Sequence, residues 1–173
     1  RLVIFFFLLN IFSTAMSDSV TVSSDKNQSS DTSVQQNIDT DDVTLTVSGN
    51  AQVDDNAKAV AIDSGVSGAA VIVESGSTIT TTSGDNGIIA DTTTLLDVTN
   101  SGTISANKNK AIDIYRSTNS SITNNSGATI SSVGNTLRIG GTSGDPSTGY
   151  TITNSGKIFS THTGNKSAVF FGN

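Results

Sequence analysis

The sequence predicts an all-β fold: a single-stranded parallel β-helix of about five coils, preceded by a signal peptide. Three observations carry that expectation. Short β-branched runs recur at a beat of about 27 residues, no stretch after the first 17 residues has a helical apolar period, and large apolar side chains are too few for a thick core. Ser, Thr, Asn and Gly together supply 84 of the 173 residues, and only five aromatics lie beyond residue 17. That composition argues against a conventional globular enzyme core.

The amino-terminal run Leu2 to Phe12 is apolar except for Asn10, follows Arg1 and leads into the small polar stretch Ser13 to Asp18. This is the order of a secretory signal, and eleven residues are too few to cross a bilayer core of about 30 Å. Residues 1–17 therefore read as a signal peptide, with the small side chains that signal peptidase needs supplied by Ser13 with Ala15, or Ala15 with Ser17. Residues 18–42 hold only four large aliphatics (Val20, Val22, Val34, Ile38) and read as a low-complexity linker or amino-terminal cap. The repeat occupies 43–173. Because the chain opens at Arg1 without an initiator Met and stops at Asn173 directly after an apolar strand, a fragment truncated at both ends is expected.

Within 43–173 three segments align: Val98-Thr-Asn-Ser-Gly-Thr-Ile104, Ile122-Thr-Asn-Asn-Ser-Gly-Ala-Thr-Ile130 and Ile152-Thr-Asn-Ser-Gly-Lys-Ile158, with looser copies at 43–53 and 71–79. The anchor glycines Gly49, Gly76, Gly102, Gly127 and Gly156 are 27, 26, 25 and 29 residues apart. A second apolar cluster follows each anchor, so every period holds three short strands; in the third copy these fall at 97–100, 103–105 and 111–115. Such strands are too short to stand alone but can stack on their copies at about 4.8 Å per layer, giving a rod of about 24 Å. A β-sandwich of hairpins would need paired strands flanking two-residue turns, which the pattern lacks. The repeat residues singled out are Asn100, Gly102, Ile104, Asn125, Gly127, Ile130, Asn154, Gly156 and Ile158. The isoleucines are expected inside, the asparagines in left-handed backbone with stacked amides, and the glycines at positive φ.

The phrase Val/Ile-Thr-Asn-Ser-Gly-x-Ile, followed by a variable turn and an apolar strand such as Ala111-Ile-Asp-Ile114, resembles the passenger region of bacterial autotransporters (type V secretion). Residues 97–171 carry the resemblance well and 43–96 loosely. It implies a right-handed coil, export to the outer-membrane surface or beyond, and a carboxy-terminal membrane barrel outside this sequence. The expected role is a non-catalytic stalk or adhesin with glycans or other cell surfaces as partners, with a β-solenoid polysaccharide lyase or hydrolase as the alternative.

The chemistry available is narrow. Cysteine is absent, which removes disulfides and thiolate metal sites, and neither a catalytic residue, a metal site nor a cofactor is assigned. A net charge of -6 without a basic stripe argues against nucleic acid as a partner. Of the acidic residues (Asp41, Asp42, Asp54, Asp55, Asp63, Asp85, Asp91, Asp97, Asp113) several sit in turns at similar phases of successive coils, and they read as solvated turn residues. His162 has no carboxylate close in sequence, and the 140–145 stretch has the wrong order of Gly and Asp for a calcium repeat loop and reads as a turn insertion. Self-association through an open last coil bearing Phe170 and Phe171 is a further expectation.

Overall fold

A computed structural model of the chain describes residues 19–22, 26–28, 34–53, 58–82 and 85–172. The expected signal peptide, as well as Asp54 and Asp55, lies outside them. Among the described residues all the regular structure is strand. Three amino-terminal strands, β1 (Ser19–Val22), β2 (Lys26–Gln28) and β3 (Gln35–Ile38), precede five complete coils of three strands each. The coils are β4 (Thr44–Val47), β5 (Asn50–Val53) and β6 (Val60–Ile62); β7 (Ala70–Val73), β8 (Thr78–Thr81) and β9 (Ile88–Asp91); then β10 (Asp97–Asn100), β11 (Thr103–Ala106) and β12 (Ile112–Tyr115). The last two are β13 (Ser121–Asn124), β14 (Thr129–Ser132) and β15 (Leu137–Gly140), and β16 (Thr151–Asn154), β17 (Lys157–Ser160) and β18 (Val169–Gly172).

Corresponding strands pair in parallel, so the coils stack into three sheets. Sheet I runs β2-β4-β7-β10-β13-β16, sheet II runs β5-β8-β11-β14-β17, and sheet III runs β1-β3-β6-β9-β12-β15-β18. This is the parallel β-solenoid that the repeat predicts. The register places like on like: Leu45, Val71, Val98, Ile122 and Ile152 form one inward column of sheet I. Ala51, Ile79, Ile104, Ile130 and Ile158 form the column of sheet II, and Val60, Ile88, Ile112, Leu137 and Val169 one of sheet III. Alternate residues along each strand point in, as the two-residue period requires, and these aliphatics build one continuous thin core. No aromatic side chain belongs to it among the described residues. Ile152, Ile158 and Val169, on the last coil, are only partly covered.

The three strands that lie within 18–42, the stretch whose composition suggests a linker or cap, join the solenoid: β2 pairs with β4, β1 with β3, and β3 with β6. The reason they escape an apolar pattern is that Gln28 and Gln36 take core positions, with 6% and 1% exposure. Gln36 makes up for its burial by donating Nε2 to the Val34 carbonyl at 2.9 Å and accepting Lys26 Nζ on Oε1.

One inward column changes chemistry along the rod. The fourth positions of the sheet I strands are Val47 and Val73 in the first two coils and Asn100, Asn124 and Asn154 in the last three. Asn100 Nδ2 donates to Asn124 Oδ1 and Asn124 Nδ2 to Asn154 Oδ1, both at 2.8 Å, while the same two amides reach the Thr129 and Lys157 carbonyls of sheet II at 3.1 and 3.2 Å. Asn124, fully buried, is bonded on both sides. Its replacement by Ala is expected to cost about 2–3 kcal/mol, because it strands an amide hydrogen of Asn100 in a dry interior. Asn125→Ala, which removes one partly buried bond to Ser101, should cost about 1 kcal/mol or less. Urea denaturation of the two variants checks the contrast.

Candidate functional site

The corner between sheets I and II carries the repeat motif, and the structure divides it into two kinds of turn. Two residues join β4 to β5, β10 to β11 and β16 to β17; four join β7 to β8 and β13 to β14. Short and long turns therefore alternate strictly up the rod. In the long turns, Ser77 N–H donates to the Glu74 carbonyl and Ala128 N–H to the Asn125 carbonyl, both at 3.1 Å. Gly76 and Gly127 occupy the third position with φ of 82° and 83°, which is a type II turn. Open space surrounds the missing side chain at both.

Gly102 and Gly156 sit in short turns for a different reason. Neither has positive φ; a Cβ at Gly102 would lie 2.2 Å from the Ser77 carbonyl oxygen and 2.5 Å from that of Glu74, and one at Gly156 would meet the Ala128 and Asn125 oxygens at 2.4 and 2.5 Å. These two short turns thus nest against the carbonyls of the long turn before them. The preceding asparagine side chain closes each, since Asn100 Oδ1 accepts the Gly102 amide and Asn154 Oδ1 the Gly156 amide, both at 3.2 Å.

Three expectations are corrected here, the first being the positive φ expected at Gly102 and Gly156. Asn125 stands outside the amide ladder, which runs through Asn124: the fourth coil has an extra residue on each side of its Ser-Gly, and strand register, not the glycine, sets the alignment. None of Asn100, Asn125 and Asn154 is left-handed. Left-handed backbone lies instead between sheets III and I, at Asp42, Leu95 and Asn119 in line with Gly68 and Gly149, and at Thr92 and Arg116. The parallel bridges Ser67, Thr94, Thr118 and Thr148 hold that column in register. Holding Thr92, Leu95 and Arg116 in that region costs about 1–2 kcal/mol each, and no composition signal announces it.

Between the long turns on either side, the short turn at Ser101 and Gly102 recedes and leaves a notch of about 220 Å³. Ser75, Ser77, Thr78, Thr103 and Ser126 line it with hydroxyls. It offers hydrogen bonds and no ionisable group.

Charge gathers on the outer face of sheet III. Arg138 makes a bidentate pair with Asp113 (Nε to Oδ1 2.6 Å, Nη2 to Oδ2 2.9 Å), and Arg116 makes another with Asp91 (2.9 and 2.6 Å). Both guanidiniums lie near the Tyr115 ring, at 5.2 Å for Arg116 and 4.9 Å for Arg138. Asp113, though it points outward, is 1% exposed, covered by Arg138, the Asn86 amide at 3.1 Å and Lys110 at 3.8 Å. Asp63, which follows Ile62, falls in line with Asp91, which follows its register partner Ala90, and the remaining carboxylates are each held by a neighbour. Asp41 accepts the Ser67 amide, Asp63 the Asn37 amide, Asp85 the Asn109 amide and Asp97 the Ser121 hydroxyl. His162 is exposed and its Nδ1 accepts the Gly164 amide at 2.7 Å. The 140–145 stretch is a tight turn closed by mutual backbone bonds between Thr142 and Asp145. Among the described residues no group of three His, Asp or Glu is placed to hold a metal ion.

Comparison with protein-family models, with curated proteins and with solved structures gives no match for the chain.

Two predictions follow from these contacts. Gly76→Asn should cost about 1 kcal/mol, because Asn tolerates left-handed backbone, whereas Gly102→Ala should cost about 3 kcal/mol by driving a methyl into two carbonyl oxygens. Equal losses in denaturant melts would mean that the stacked turns separate readily. The second concerns acid. Hydrogen bonding by Arg116 holds the Asp91 carboxyl below its ordinary value of 3.8. A carboxyl depressed in the folded state adds stability above the unfolded value that is lost as pH falls through the folded one. Arg116→Gln should therefore lower stability at pH 6 while flattening its fall below about pH 4, as read by thermal melts from pH 6 to pH 2.

Proposed function

We propose that the chain is the exported, surface-exposed passenger part of an autotransporter-like protein and serves without catalysis as a stalk or adhesive face. The observation that carries this reading is the unbroken in-register stack from β4 to β18, which makes a rod with a fixed repeat out of small polar residues. The leader-like run at 2–12 and the Asn-Ser-Gly-x-Ile phrase support export by that route. Hydroxyls and amides on the outside, together with the serine-lined notch at Gly102, suit weak hydrogen-bonded contacts with glycans or another cell surface, multiplied along a polymer. The enzyme alternative calls for carboxylates from three consecutive coils in one groove. Asp63 and Asp91 fall in line on adjacent coils, but each is tied to a neighbouring side chain, as are Asp85, Asp97 and Asp113.

The test is to express the complete open reading frame in a Gram-negative host and treat intact cells with protease. The expected outcome is a solenoid accessible from outside, with its mature amino terminus at Met16 or Asp18. Retention in the cytosol with residues 1–17 intact, or depolymerisation of a uronic-acid polymer by the purified protein, overturns the reading.

A further inference from the structure

The corner between sheets II and III differs from the rest of the surface in charge. Lys108 and Lys110 of the third coil, Arg138 of the fourth and Lys166 of the fifth surround one open cleft of about 480 Å³. They are four of the nine Lys and Arg residues in a chain whose net charge is -6. Asp113 lies beneath the cleft and is shared by Arg138 and Lys110, and Asp85 is held at its edge by Asn109, so among the described residues two carboxylates face four cations. Among those residues the balance is positive.

Two further features give the cleft a shape and a donor pattern. Phe170 forms part of its wall, half-buried, with its ring packed so closely over Gly172 that a Cβ there would lie 2.6 Å from the ring. His162 also borders it. Since Nδ1 accepts the Gly164 amide, the neutral ring carries its proton on Nε2 and offers a donor even without charge. Asn109 and Asn135 add amides at the rim.

We propose that this cleft binds an acidic saccharide, with the carboxylate or sulfate group set among Lys108, Lys166 and His162 and a sugar ring against Phe170. Cations select the anion, while the aromatic ring and rim amides select a sugar over a bare ion. Nucleic acid is disfavoured, because the positive charge is confined to one cleft with no stripe to follow a phosphate backbone. The choice of a polysaccharide rests on the surface-exposed reading above; the cleft's affinity for an anion does not.

The experiment is fluorescence-polarisation titration of the whole chain at physiological salt. The probes are a labelled oligogalacturonate and a sulfated hexasaccharide, with neutral dextran and a single-stranded oligonucleotide for comparison and inorganic sulfate as competitor. Binding to one or both acidic saccharides is expected, which also separates carboxylate from sulfate, with none to dextran. The Lys108→Ala/Lys166→Ala variant should bind about tenfold more weakly, and Phe170→Ala should weaken saccharide binding but leave the sulfate competition constant unchanged. Lys157→Ala, on sheet II, is the control. The proposal is overturned if neither saccharide binds, if Lys157→Ala weakens binding as much as the double variant, if Phe170→Ala has no effect, or if the oligonucleotide binds more tightly. Melting temperatures of the variants confirm that each is folded. A polymer that is bound and then cleaved would overturn the non-catalytic reading and leave the cleft in place.

Discussion

The constraint on which everything else depends is parallel, in-register stacking of coil on coil. Each backbone amide of a strand donates to the strand one layer away, so every side chain lies directly over its counterpart at about 4.8 Å. A residue is then acceptable only if it tolerates that neighbour. Aliphatic over aliphatic satisfies the rule by dispersion and burial, and amide over amide by hydrogen bonding. Like charges over one another are penalised unless a partner intervenes: Asp113 lies next to Arg138, and Asp91, in line with Asp63 on one side, has the Tyr115 and Arg116 pair on the other.

The replacement of Val47 and Val73 by Asn100, Asn124 and Asn154 shows the two solutions in one column. Valine needs no partner and specifies no register. The asparagine amide is worth little unless the next coil presents its own amide at the same height, so a slip by one residue would leave buried donors unmet. Asn100 and Asn154 also close the short turns beneath them, coupling the register of sheet I to the geometry of the corner.

Much of the fold was legible because stacking writes itself into sequence as repetition. Ile104, Ile130 and Ile158 announce a column, and strands placed at 97–100 and 103–105 fall within a residue of β10 and β11. The corners were harder. Aligning on glycine puts Gly102 and Gly127 together, although one is excluded from bearing a side chain by carbonyls and the other by its φ. The doubled asparagine at 124 and 125 was the available sign that their turns differ in length. Left-handed backbone at Thr92, Leu95 and Arg116 had no sign at all, since none of these residue types favours it. The basic cleft was hidden because its members lie up to 58 residues apart, counting from Lys108 to Lys166, and meet only after two turns of the coil.

The alternation of two-residue and four-residue turns has a consequence for how such a rod can change length. The two later short turns lie against the carbonyls of a long turn below, Gly102 on Glu74 and Ser77 and Gly156 on Asn125 and Ala128. Losing or duplicating one coil would set like against like at the junction, whereas removing or adding a pair preserves every interface. A change in rod length that keeps these corner interfaces is therefore a change by two coils.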